Sequence, residues 1–139
     1  MCRLSYNPLH RILHGRILIV DDDRDISMTL EMGLRLHGFD VASYNDSLSA
    51  LSEFKPGSFD LALLDVRMPS MNGFELYKKL KENDPRLKVC FLTAYEASRE
   101  FRELFPEMAD KHFMQKPVSI KELVTRIEAI LNEDIAKTV

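Results

Sequence analysis

The chain has 139 residues, 45% of them hydrophobic and 29% charged, with a formal net charge of −3. That describes one domain with enough apolar material for a core, and it gives no excess of cations to attract nucleic acid. No segment approaches the roughly 20 apolar residues needed to span a bilayer, and the first eight residues lack the continuous apolar stretch of a secretory signal. Of the two cysteines, Cys2 falls in a predicted tail and Cys90 in a predicted core strand. This placement argues against a structural disulfide, makes Cys90 an inert buried thiol, and fits a reducing cytoplasm.

Residues 1–14 show no clear period and contain Pro8; they are predicted to form an irregular arm before a domain spanning 15–132. Residues 16–20, Arg-Ile-Leu-Ile-Val, form a strand buried on both faces. Ile26, Leu30, Leu34 and His37 then recur at helical spacing, and Gly38 stops that helix. A second strand runs over 39–44. Asp46 caps a second helix bearing Leu48, Leu51 and Phe54, which Pro56-Gly57 closes. The third strand is 59–64. Asn72-Gly73 opens a third helix with Phe74, Leu76, Tyr77 and Leu80, ending before Pro85. The fourth strand is 87–92, followed by a helix with Ala97, Phe101, Leu104 and Phe105 that Pro106 ends. The fifth strand is 112–115. Ser119 and Glu122 form a capping box for a last helix carrying Ile120, Leu123, Ile127, Ile130 and Leu131. Residues 133–139 are a predicted tail, so neither a second domain nor an output module is expected.

Five strand–helix repeats with right-handed crossovers predict an α/β fold, a doubly wound five-stranded parallel sheet in the order 2-1-3-4-5, flavodoxin-like. In such a sheet the C-terminal strand ends share one edge, where ligands bind. Four of those ends carry reactive polar residues: Asp21-Asp22-Asp23, Asp65, Thr93 and Lys116. Adjacent carboxylates after a buried strand call for a compensating cation, and Mg²⁺ takes oxygen ligands from one or two carboxylates together with phosphate. Asp23 and Asp25 are expected only to cap and complement the first helix. Asp65 is the candidate nucleophile, because a carboxylate can attack phosphorus. Thr93 offers a hydroxyl and Lys116 an ammonium to the equatorial oxygens of a transferring phosphoryl group. A cis bond before Pro117 would turn Lys116 inward. His10, His14, His37 and His112 are not spaced as a metal site. Met28, Met32, Met68, Met71, Met108 and Met114 are expected in core or loop packing rather than in a ligand groove.

The stretches Ile17–Asp23, Leu63–Pro69, Met71–Leu76, Leu92–Ala94 and Lys116-Pro117 together resemble a two-component response-regulator receiver domain of the stand-alone, chemotaxis-regulator type. The resemblance covers about residues 15–132. It implies that Asp65 accepts a phosphoryl group from a phosphohistidine on a sensor histidine kinase or histidine phosphotransfer protein. Asp22, Asp65 and the backbone carbonyl of Arg67 would bind Mg²⁺ directly, and Asp21 through water. Thr93 and Lys116 would hold the phosphoryl oxygens, and Phe113 would be the aromatic that changes rotamer on activation. The surface around strand five would then engage a downstream protein target or a second copy, with no direct role for nucleic acid or membrane. Such a domain is a switch with only self-phosphorylating and self-dephosphorylating activity. Two departures from the family pattern are Asp23, often Glu, and the segment 105–110, which lacks the usual Gly and whose Pro106 predicts a short fourth helix.

Three other readings compete. An Mg²⁺-dependent phosphohydrolase with an aspartyl nucleophile usually carries a second Asp two residues on, where this chain has Arg67. A flavin-binding protein would need a hydroxyl-rich loop after strand one, where this chain places three negative charges. A phosphorylation-independent adaptor would not need Asp21, Asp22, Asp65, Thr93 and Lys116 together. Arg67 and Tyr95, each two residues past Asp65 and Thr93, are expected to border the phosphoryl group and to crowd attacking water.

Overall fold

The computed structural model describes residues 15–94 and 98–133. The predicted arm with Cys2, His10 and His14, the residues Tyr95 and Ala97, and positions 134–139 of the tail lie outside them. The described chain alternates strand and helix: β1 (Arg16–Val20), α1 (Arg24–Leu36), β2 (Asp40–Tyr44), α2 (Ser47–Glu53), β3 (Leu61–Leu64), α3 (Gly73–Asn83), β4 (Lys88–Thr93), α4 (Ser98–Leu104), β5 (Phe113–Gln115) and α5 (Ile120–Leu131). The strands form one parallel sheet in the order β2-β1-β3-β4-β5. This is the predicted doubly wound topology.

The alternation of side chains along each strand builds two cores. Leu18, Val20, Ala62, Leu64 and Phe91 face one side, against Ala50 of α2, Phe74, Leu76 and Leu80 of α3 and Phe101 of α4. Ile17, Ile19, Leu61, Leu63, Cys90, Leu92 and Met114 face the other, against Leu30 and Leu34 of α1 and Leu123, Ile127 and Ile130 of α5. Because both faces are covered, β1, β3 and β4 read as continuous apolar runs rather than as alternating ones. Phe91 meets Phe74 edge to face at 4.8 Å and Tyr77 at 5.7 Å. Truncating such a buried ring to Ala costs about 3–5 kcal/mol.

The helix ends follow local chemistry. Asp23 accepts the N–H groups of Asp25 and Ile26 at the start of α1. Gly38, at φ +93°, takes the left-handed turn that ends it. Asn72 with Glu75, and Ser119 with Glu122, close reciprocal capping boxes on α3 and α5.

Three expectations need correction. Met28 and Met32 are not packed but exposed on α1, as is Leu36; at 100° per residue they lie opposite Leu30 and Leu34. Leu48 is exposed as well, because α2 buries Ser47 and Ala50 instead. His112 ends a 3₁₀ turn (Asp110–His112) before β5 rather than starting the strand. Its buried ring holds the Val89 carbonyl through Nδ1 at 2.7 Å. Cys90 is buried as predicted, and burial pushes its thiol up to about 12.

Candidate functional site

β1 and β3 are neighbours in the sheet, and Val20 pairs with Leu64 at the end of their register. The next residue on each strand is therefore an aspartate, and Asp21 and Asp65 emerge side by side. The Asp65 N–H donates to the Val20 carbonyl at 2.9 Å. Both aspartates are buried, whereas Asp22, one residue further out, is exposed. Each of the three offers a carboxylate oxygen, and these oxygens lie within 4.8 Å of one another.

The fourth charge comes from the far edge of the sheet. Thr93 ends β4 fully buried, and its carbonyl accepts the Lys116 N–H at 2.6 Å. Lys116 follows β5, with a cis bond to Pro117. Its Nζ donates to Asp21 Oδ2 at 2.7 Å and lies 3.7 Å from Asp65 Oδ1. The other Asp21 oxygen, Oδ1, accepts the Asp23 N–H at 2.9 Å. One ammonium thus stands against two of the three clustered carboxylates. Burial, reinforced by the neighbouring negative charge of Asp21, pushes Asp65 up to about 6; Lys116 pulls the other way, Asp22 adds to the rise, and the Val66 N–H opposes it. A small anionic cage of oxygens with unbalanced charge fits a hard divalent cation.

Paired residues of parallel strands point to the same side, and Phe91 pairs with Phe113 while Thr93 pairs with Gln115. Thr93 and Phe113 therefore share one face of the sheet. Phe113 is only half-buried, packed at the edge of the aromatic core 5.4 Å from Phe101. Arg67 lies on the loop between β3 and α3 with its side chain exposed. Of the predicted site residues among those described, Asp21, Asp22, Asp65 and Arg67 follow β1 and β3, Thr93 ends β4, Phe113 begins β5 and Lys116 follows it. Tyr95, expected beside them, lies outside the described residues.

Two further residues of the site had no site role assigned from the sequence, where Gly73 read only as part of a helix start and a family-like stretch and Asn45 gave no sign. Gly73 opens α3 directly against the loop that follows β3: its N–H donates to the Val66 carbonyl at 2.9 Å. A Cβ there would overlap the Asp65 carbonyl oxygen and lie 3.0 Å from its carbon and 3.1 Å from Val66 Cα. Asn45, just past β2, donates through Nδ2 to the Asp21 carbonyl and to Ser27 Oγ, both at 2.9 Å.

Comparison with known proteins places this arrangement in context. The family model described as "Response regulator receiver domain" matches residues 17–128. The transcriptional regulatory protein PrrA of Mycobacterium tuberculosis is 37% identical over 116 residues, which are 84% of this chain and 49% of that protein. The response regulator receiver protein CpdR of Brucella abortus is 34% identical over 119 residues, covering 84% of this chain and 96% of that one. The non-phosphorylated HemR receiver domain of Leptospira biflexa superposes with a TM-score of 0.72 at 32% identity, covering 84% of this chain and 93% of that domain. The chain spans about half the length of the first curated relatives it matches.

Proposed function

The chain belongs to the response regulator receiver domain family, and from that membership we propose that it is a phosphorylatable signalling switch in which Asp65 accepts a phosphoryl group with the help of Mg²⁺. Members of this family are not metabolic enzymes. The observation that carries the reading is the meeting of Asp21, Asp22 and Asp65 within 4.8 Å, with the Lys116 ammonium against two of them.

An Asp65 oxygen attacks the phosphorus of a phosphohistidine. The new O–P bond forms as the P–N bond breaks, and its electron pair returns to the imidazole. Asp22, Asp65 and the Arg67 carbonyl would hold Mg²⁺, with Asp21 helping through water. When bound there, the ion would supply neutralising charge for the incoming phosphate. Lys116 shifts from Asp21 towards the transferred group, and the Thr93 hydroxyl donates to a second phosphoryl oxygen. Drawing Thr93 towards the phosphoryl group clears space on the face it shares with Phe113, which turns inward and remodels the surface around β5. The donor is a sensor histidine kinase or histidine phosphotransfer protein, and the remodelled surface meets a downstream protein or a second copy. The reading implies a cytoplasmic location.

Incubation with acetyl phosphate and Mg²⁺ should add one phosphoryl mass, lost on hydroxylamine treatment and absent in Asp65→Asn. Undiminished labelling of Asp65→Asn would sink the assignment. The phosphohydrolase alternative predicts multiple turnover on phosphomonoesters, and the position two residues past Asp65, occupied by Arg67, supplies no acid or base for it.

A further inference from the structure

Of the three carboxylates in the pocket, Asp22 has the least support from its own side-chain position. Asp21 is pinned through both oxygens, by the Asp23 N–H and by Lys116. Asp65 is buried. Asp22 is exposed, one residue beyond the strand, and two neighbouring negative charges repel it. Its aim depends on the peptide that joins it to Asp21.

The peptides on both sides of Asp21 are held by the end of β2 and the residue after it. The Asp21 N–H donates to the Tyr44 carbonyl at 3.1 Å. The next residue, Asn45, donates to the Asp21 carbonyl at 2.9 Å. Asn45 spends the other hydrogen of the same amide on Ser27 Oγ, also at 2.9 Å, and the buried Ser27 hydroxyl donates onward to the Arg24 carbonyl at 3.1 Å. The hydrogen bonds run in one direction, and both amide hydrogens are used. One amide hydrogen of Asn45 thus fixes the Asp21–Asp22 peptide plane and the other ties it to the first turn of α1.

We propose that Asn45 is a positioning residue for the cation site: its side-chain amide locks the Asp21–Asp22 peptide and thereby aims the Asp22 carboxylate into the pocket. The proposal rests on the phosphoryl-acceptor reading above and adds to it a residue that touches neither metal nor phosphate. Groups that orient metal ligands in this way typically change metal affinity by about 10–100-fold when removed.

The test is calorimetric titration with Mg²⁺ at a temperature well below the melting midpoint, joined to the Mg²⁺ dependence of acetyl-phosphate labelling. Asn45→Ala and the milder Asn45→Ser should bind Mg²⁺ about 10-fold more weakly. Their labelling should need correspondingly more Mg²⁺ for half-saturation, while the plateau rate stays within about 3-fold of wild type, since Asp65, Thr93 and Lys116 are untouched. Ser27→Ala, which cuts only the helix end of the bridge, should lose similar stability yet keep Mg²⁺ affinity within about 2-fold. Unchanged Mg²⁺ affinity in both Asn45 variants overturns the proposal, and so does an equal loss in Ser27→Ala, which would mean general loosening of the loop. A wild type that binds no Mg²⁺ and takes no phosphoryl group overturns the underlying reading as well, and is told apart by the unsubstituted protein alone.

Discussion

Lys116 donates to Asp21 at 2.7 Å and stands 3.7 Å from Asp65. On the proposed function, the ammonium assigned to the phosphoryl group is thus held by a carboxylate assigned to the cation. In that reading cation and ammonium would compete for the same charge. Lys116→Met should therefore bind Mg²⁺ more tightly, by about 10-fold for removal of a unit charge a few ångströms away, while labelling of Asp65 slows. Calorimetry and phosphorylation rates check the two halves separately; weaker Mg²⁺ binding in the variant contradicts the competition.

Asp65 makes stability depend on pH in the metal-free protein. Its folded-state value near 6 lies above the ordinary 3.8. Below both values it is protonated whether folded or not. Between them only the folded chain keeps the proton, so stability falls as pH rises through that window and stays low above it. In EDTA at pH 7.5, Asp65→Asn should melt above wild type by about 2–6 °C, and the gap should narrow as pH is lowered from 6 towards 4. Thermal melts across that range decide it. Added Mg²⁺ should raise the wild-type midpoint selectively.

Gly73 is required by space. A methyl group there overlaps the Asp65 carbonyl, so Gly73→Ala must push α3 or the loop carrying Arg67 outward. Overpacking of this kind costs about 1–3 kcal/mol, and displacement of the Arg67 carbonyl should weaken Mg²⁺ binding as well. Urea unfolding and calorimetry measure the two effects; a variant as stable as wild type would mean that the loop yields freely.

Thr93 and Phe113 share a face of the sheet. Beryllofluoride with Mg²⁺ should shift the aromatic resonances of Phe113 in the wild type. Thr93→Ala should still bind the anion but leave Phe113 in its starting environment. A full Phe113 response in Thr93→Ala would separate the ring from the hydroxyl.

What the sequence made legible was set by periodicity and by strand ends. Asp21, Asp65, Thr93 and Lys116 each close an apolar run, and a parallel sheet brings such ends together whatever lies between them. Asn45 and Ser27 gave no such sign. One reads as a turn residue and the other as a helix residue, and their bond arises only because β2 lies beside β1. Met28, Met32 and Leu48 misled for the opposite reason: residue type points inward, but the helical phase set by Leu30, Leu34 and Ala50 turns them out.

Asp21 and Lys116 stand 95 positions apart along the chain. No contiguous fragment short of nearly the whole fold can assemble the pocket. The acidic half is synthesised early and the lysine only after all five strands, so a nascent chain, a clipped chain or one with β5 detached lacks the ammonium of the pocket. The site doubles as an inspection of its own fold: only a fully assembled molecule brings the ammonium to the carboxylates.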